Sequence, residues 1–190
     1  MKKIKGIMRN LNELRDKAHL IALDNGWHEK YLSNEHWLCL VISELMEAVE
    51  ADRIGKYANK DQFSYYMKMK DRSEDEFYHA FSFSIKDTVE DELGDAVIRL
   101  LDYCGTINFV IDDSCSNSDA IEDFSQLFKK LTFTESIFHI VESISRFEIQ
   151  VAFLKIFGFC EQKGIDIFWH IDQKMEYNKL RGYHHGGKKY

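Results

Sequence analysis

Not one of the 190 residues is proline. Proline averages about 5% of residues in ordinary proteins, and each one removes an amide donor and breaks a helix interior. A chain without it has lost the main helix breaker, and strand-like alternation is scarce along this one. The expectation is an all-α fold, a helical bundle forming one domain over residues 1–190. The length is sufficient for one sizeable core and does not require a second.

Helical periodicity marks the elements. Ile4, Ile7, Met8, Leu11, Leu14, Ala18, Leu20 and Ile21 recur at three- and four-residue spacing and predict a helix over 4–24 that stops at Asn25-Gly26. Ser33 or Asn34 caps a second helix running to Arg53, ahead of Gly55. Residues 56–86 mix aromatics with charges without a clear period and read as an insertion with one helix near 64–80. Periodicity returns over 86–109, and further helices are expected over 119–130, 134–146, 148–162 and 166–181. The end of the chain, from Gly182 to Tyr190, is glycine-rich and basic, as a flexible tail would be.

Composition restricts the partners. With 25 Lys and Arg against 32 Asp and Glu the net charge is −7. The chain therefore lacks the basic face that general nucleic-acid or anionic-membrane binding needs. No apolar run approaches the roughly 20 residues of a membrane span. Cys39, Cys104, Cys115 and Cys160 are widely spaced, with no CxxC pair. Free thiols in a reducing, cytoplasmic setting are expected.

The chemistry concentrates in Glu44-Leu-Met-Glu47 and Glu92-Leu-Gly-Asp95. Each pair sets two carboxylates three residues apart, on one face of a helix. On a helical wheel Trp37, Leu40, Ala48 and Ala51 fall within about 40° of Glu44, and Glu47 lies about 60° to one side. The acids thus sit in or beside the apolar arc, the reverse of a solvated charge pair. A buried carboxylate needs a partner or a metal. Four of them on two packed helices would offer an all-oxygen site for a hard divalent cation. Arg99 lies between the second pair on the wheel and is the competing, purely structural partner. Near the end of the chain Lys174, Asn178 and Arg181 share one stripe, with the donors that phosphate oxygens need.

Three segments together resemble a MazG-like nucleotide pyrophosphohydrolase: Ile42–Arg53 around the first motif, Val89–Asp102 around the second, and Lys174-Met-Glu-Tyr-Asn178 through Arg181 to His185-Gly-Gly-Lys-Lys189. That group belongs to the all-α NTP pyrophosphatase superfamily, which also holds the dimeric dUTPases. The resemblance implies a four-helix core with extra helices and Mg²⁺ (Mn²⁺ as a substitute) on Glu44, Glu47, Glu92 and Asp95. It also implies a nucleoside triphosphate held by Lys174, Asn178, Arg181 and Lys188. Hydrolysis would fall between the α- and β-phosphates, with Glu47 and Glu44 as the catalytic acids, in a homo-oligomer. The spacer between the motifs, Ala48 to Asp91, is longer than compact MazG modules use, and the helices over 111–162 are additional. Both features look more like the dUTPase architecture, whereas Ser43 stands where those enzymes often carry a further glutamate.

Base recognition calls for an aromatic platform, for which Trp27, Trp37 and His28 are candidates, Trp37 with the stronger claim to the core. Two other classes compete. A di-iron bundle needs two Glu-x-x-His motifs, and the chain offers Glu76-Phe-Tyr-His79 alone. A helical interaction module would pair the carboxylates with Arg99, Arg53 or Arg181.

Overall fold

The computed structural model describes residues 9–69, 73–187 and 189, and among these every regular element is helical. The order is α1 (Leu11–Asp24), α2 (Asn34–Arg53), α3 (Lys60–Met69), α4 (Glu74–Ser84), α5 (Val89–Thr106), a 3₁₀ turn (Asp113–Ser116), α6 (Ser118–Phe128), α7 (Phe133–Ser145), α8 (Ile149–Lys163), α9 (Ile167–Leu180) and α10 (His184–Gly187). None of the helices in the described residues is long and apolar enough to cross a membrane.

Caps set the boundaries. Asn10, Ser33, Ser73, Thr88 and Asn117 each accept from amides of the first turn they precede, satisfying donors a helix start otherwise leaves open. Asn10 starts α1 at Leu11. Ile4, Ile7 and Met8, expected in that helix, lie outside the described residues. At the other ends Gly26, Gly55 and Gly164 adopt φ of +82°, +68° and +71°, a region glycine enters without steric cost.

α5 is the axis of the molecule. It packs against α1, α2 and α9, and more lightly against α8. Val89, Leu93, Ala96, Val97, Leu100, Leu101 and Cys104 are all fully removed from water, and each larger side chain so buried contributes about 1.5–3 kcal/mol. α2 faces it with Trp37, Leu38, Val41, Leu45 and Ala48, and α9 with Ile171 and Met175. α6, α7 and α8 form a second layer, joined through α7 to α2 and through α8 to α5.

The 56–86 region departs from expectation, because it forms two helices rather than one. α3 and α4 pack on each other, and α4 rests on α9. Phe63, Phe81 and Ile85 close a small apolar cluster of their own with Tyr177 of α9. All four cysteines are free; Cys39 is exposed and the other three are buried.

Candidate functional site

A cavity of about 290 Å³ opens between α1, α2, α5 and α9. Its wall includes Glu44, Glu47, Glu92, Asp95, Lys174, Asn178, Arg181 and Trp27, all singled out from the sequence. Lys188 lies outside the described residues.

The carboxylates occupy one end. Glu44 and Glu92 are buried and Glu47 is exposed, as the wheel placed it at the edge of the apolar arc. Glu44, Glu47 and Glu92 each offer an oxygen within 4.8 Å of the others. Arg99 reaches across from α5 and donates from Nε to Glu44 Oε1 at 2.5 Å. Burial first, then the charge of Asp95, raises the Glu44 carboxyl above its ordinary value, with Arg99 opposing. For Glu92 the same two causes, burial and then Asp95, push it up to about 9. At neutral pH Glu92 therefore keeps a proton in this cluster, because burial and the charge of Asp95 outweigh the opposing charge of Lys174.

Asp95 takes a different partner. Lys174, almost wholly buried on α9, places Nζ 2.7 Å from Asp95 Oδ2 and 2.8 Å from Asp91 Oδ2. Burial alone would lower the lysine pKa, but Asp95 and Asp91 outweigh it and hold the ammonium charged. Asp91 also accepts the Asp87 amide at 2.9 Å. Lys174, expected to touch phosphate, lines the cavity and in this structure also ties α9 to the start of α5. Asp91 is the residue the sequence reading missed. It is one step of about 100° round the helix from Glu92, and so faces α9 instead of the cavity motif.

Arg181 remains on the wall with its guanidinium 5.7 Å over the Tyr177 ring. The Asn178 side-chain oxygen is buried without a hydrogen-bond partner among the described residues. Lys86 and His185 join them on the wall. Arg53 pairs at the surface with Glu50 and takes no part.

The chain from Tyr183 to His185, expected as part of a flexible tail, instead folds back on the α1–α2 connection. The His184 amide donates to Asn25 O at 2.9 Å, and its ring stacks on Trp27 with centroids 4.8 Å apart. Tyr183 donates to Glu29 at 2.6 Å. Gly26 makes room, since a Cβ there would lie 2.3 Å from the Tyr183 ring.

Apolar side chains share the cavity lining: Ala18, Ala22, Leu32, Trp37, Leu40 and Ile98 stand in it beside Asn25, His36 and Ser43. Trp37 is 8% exposed, part of the core and stacked on His28 at 4.7 Å. Asp102 stands in this wall, bonded to His19 and His28. The sequence carried a signal for it, because Asp102 is seven residues beyond Asp95 and about 20° from it on the wheel.

Comparisons with protein-family models, with curated proteins and with solved structures return no match for this chain.

Proposed function

We propose that the chain is a Mg²⁺-dependent nucleoside triphosphate pyrophosphohydrolase, releasing a monophosphate and pyrophosphate, with a core of the all-α NTP pyrophosphatase type. One observation carries this reading: a single cavity collects an inward carboxylate cluster, a cationic and amide wall, and apolar lining. Those three surfaces match the metal-bound phosphates, the free phosphate oxygens and the nucleoside of one substrate.

The residues fit the cation. Three carboxylate oxygens within 4.8 Å of one another form the hard, all-oxygen donor set Mg²⁺ or Mn²⁺ takes. Glu44, Glu47 and Glu92 would hold it, with Asp95 beside them. Bound there, Mg²⁺ supplies charge neutralisation for the phosphates and acidifies water. Arg181 and Asn178 orient the triphosphate from the opposite wall and meet the charge that develops on its oxygens. Glu47, the solvent-facing member, accepts the proton of the water that attacks the α-phosphorus. The bond from that phosphorus to the oxygen bridging to the β-phosphate breaks, and pyrophosphate leaves with that oxygen.

The test is pyrophosphate release across a panel of canonical and damaged nucleoside triphosphates. Turnover should require Mg²⁺ and fall by at least about 100-fold in Glu47→Gln and Glu92→Gln. No turnover on any member of the panel sinks the reading.

A second reading, an interaction module with structural ion pairs, is favoured by the Glu44–Arg99 and Lys174–Asp95 bonds. A structural network gains nothing from a divalent cation. A rise in melting temperature with Mg²⁺ concentration therefore separates the two.

A further inference from the structure

Asp102 presents an acceptor in the cavity wall, two turns along α5 from Asp95, and is held there by two donors from outside the lining. His19 on α1 approaches Oδ1 through Nδ1 at 2.7 Å. His28, in the α1–α2 connection, approaches Oδ1 through Nε2 at 2.9 Å and Oδ2 at 3.1 Å. A carboxylate only accepts, so each imidazole donates through the nitrogen that faces it, His19 through Nδ1 and His28 through Nε2. At these separations the ring protons fill the space between nitrogen and oxygen, so the three residues satisfy one another as a hydrogen-bond network.

The network is built into the backbone. Gly105 lies one turn beyond Asp102, and a Cβ there would be 2.6 Å from the His19 Cβ. Only glycine lets α1 come close enough for His19 to reach the carboxylate. Trp37 stacks on the other side of His28 and fixes that ring as well.

Counting lone pairs shows what is left. Oδ1 takes both histidine donors, while Oδ2 shares a single longer one with it, so Oδ2 retains acceptor capacity. Asp102 lines the cavity among Ala18, Leu40 and Ile98, with Arg99 the nearby cation, and a further donor from a bound molecule can use that capacity. The position along α5 is also suitable. Asp102 is seven residues, about 10 Å, beyond Asp95 on the same face, close to the reach from an α-phosphate to the far edge of its base.

We propose that Asp102, positioned by His19 and His28, selects nucleotides whose base carries an exocyclic amino group, as cytosine and adenine do, over those with a keto oxygen at that place. The inference rests on the nucleotide reading above. An amino group supplies the N–H that Oδ2 needs; the keto oxygen of uracil or hypoxanthine would set acceptor against acceptor.

Matched pairs test it by calorimetric binding with Mg²⁺: the α,β-imido analogues of dCTP against dUTP, and of dATP against dITP. The amino member of at least one pair should bind about 10- to 100-fold more tightly. The ratio should fall toward one in Asp102→Asn, with melting curves confirming that the variant is folded. If that variant does not fold, His19→Ala, which removes one positioning donor, should lower the ratio several-fold. Equal binding within both pairs, or a preference for the keto member, overturns the proposal even if pyrophosphate release is found. A ratio unchanged in folded Asp102→Asn, or in His19→Ala where Asp102→Asn does not fold, overturns it too. Amino-selective binding without turnover supports this role for Asp102 and removes the hydrolase reading. Absence of binding by all four analogues overturns this proposal, whereas the hydrolase reading stands or falls by the turnover panel.

Discussion

Glu92 holds its proton because burial and the charge of Asp95 both disfavour the carboxylate, which lifts it to about 9 from an ordinary 4.5. The folded chain thus binds this proton more tightly than the unfolded chain does. Its contribution to stability is fully present below about pH 4.5 and is lost as the pH climbs through about 9. A divalent cation must displace the proton to reach the oxygens, so its effect grows in the same direction. Thermal unfolding should therefore show a larger Mg²⁺-induced rise in melting temperature near pH 9 than near pH 6. In Glu92→Gln the pH dependence of that rise should be largely gone. An equal Mg²⁺ effect at both pH values would count against a cation on Glu92. The four motif carboxylates could be placed from the sequence because the helical wheel is local information. The pairing of Lys174 with Asp91 and Asp95 could not, because it joins α9 to α5, across 83 residues in the case of Asp91.

At the scale of elements, close approach between helices has its own requirements. Gly158 in α8 is buried where α6 crosses: an added Cβ would lie 2.7 Å from the Phe124 Cβ and 2.8 Å from backbone atoms of Phe124 and Ser125. Backbone cannot swing aside as a side chain can, so Gly158→Ala must push the two helices apart. Overpacking of this kind costs about 1–3 kcal/mol, enough to exceed the gain of roughly 1 kcal/mol that alanine brings to a helix interior. Urea unfolding should show a lower midpoint at unchanged slope. α2 was legible because Ser33, a clean apolar face and Gly55 bracket it. α3 and α4 were not, because their buried residues Phe63, Ala80 and Phe81 pack on Tyr177 of α9 while Tyr65, Tyr66 and Phe83 stay exposed. Aromatic residues on both faces blur the period that periodicity reading depends on.

Across the whole molecule, the all-helical architecture followed from the missing prolines and the repeating apolar stripes. Which helices are neighbours did not, since adjacency depends on how stripes fit together. The cavity illustrates the difference. Its motif acids were readable one helix at a time, whereas the apolar lining and the Asp102 network exist only once α1 lies against α5. That central place of α5 also sets an order of opening. Packed against α1, α2, α8 and α9, its central amides should exchange with deuterium mainly through global unfolding. The α3–α4 pair, with its smaller cluster, should exchange through partial opening at lower free energy. Deuterium uptake followed by mass spectrometry reads this order directly, and faster exchange in α5 than in α4 would contradict it. Glu92, Asp95, Arg99 and Asp102 all ride on that slowest-exchanging segment. The floor of the cavity therefore stays assembled through most fluctuations short of complete unfolding, and the turnover of its shape falls to the rim.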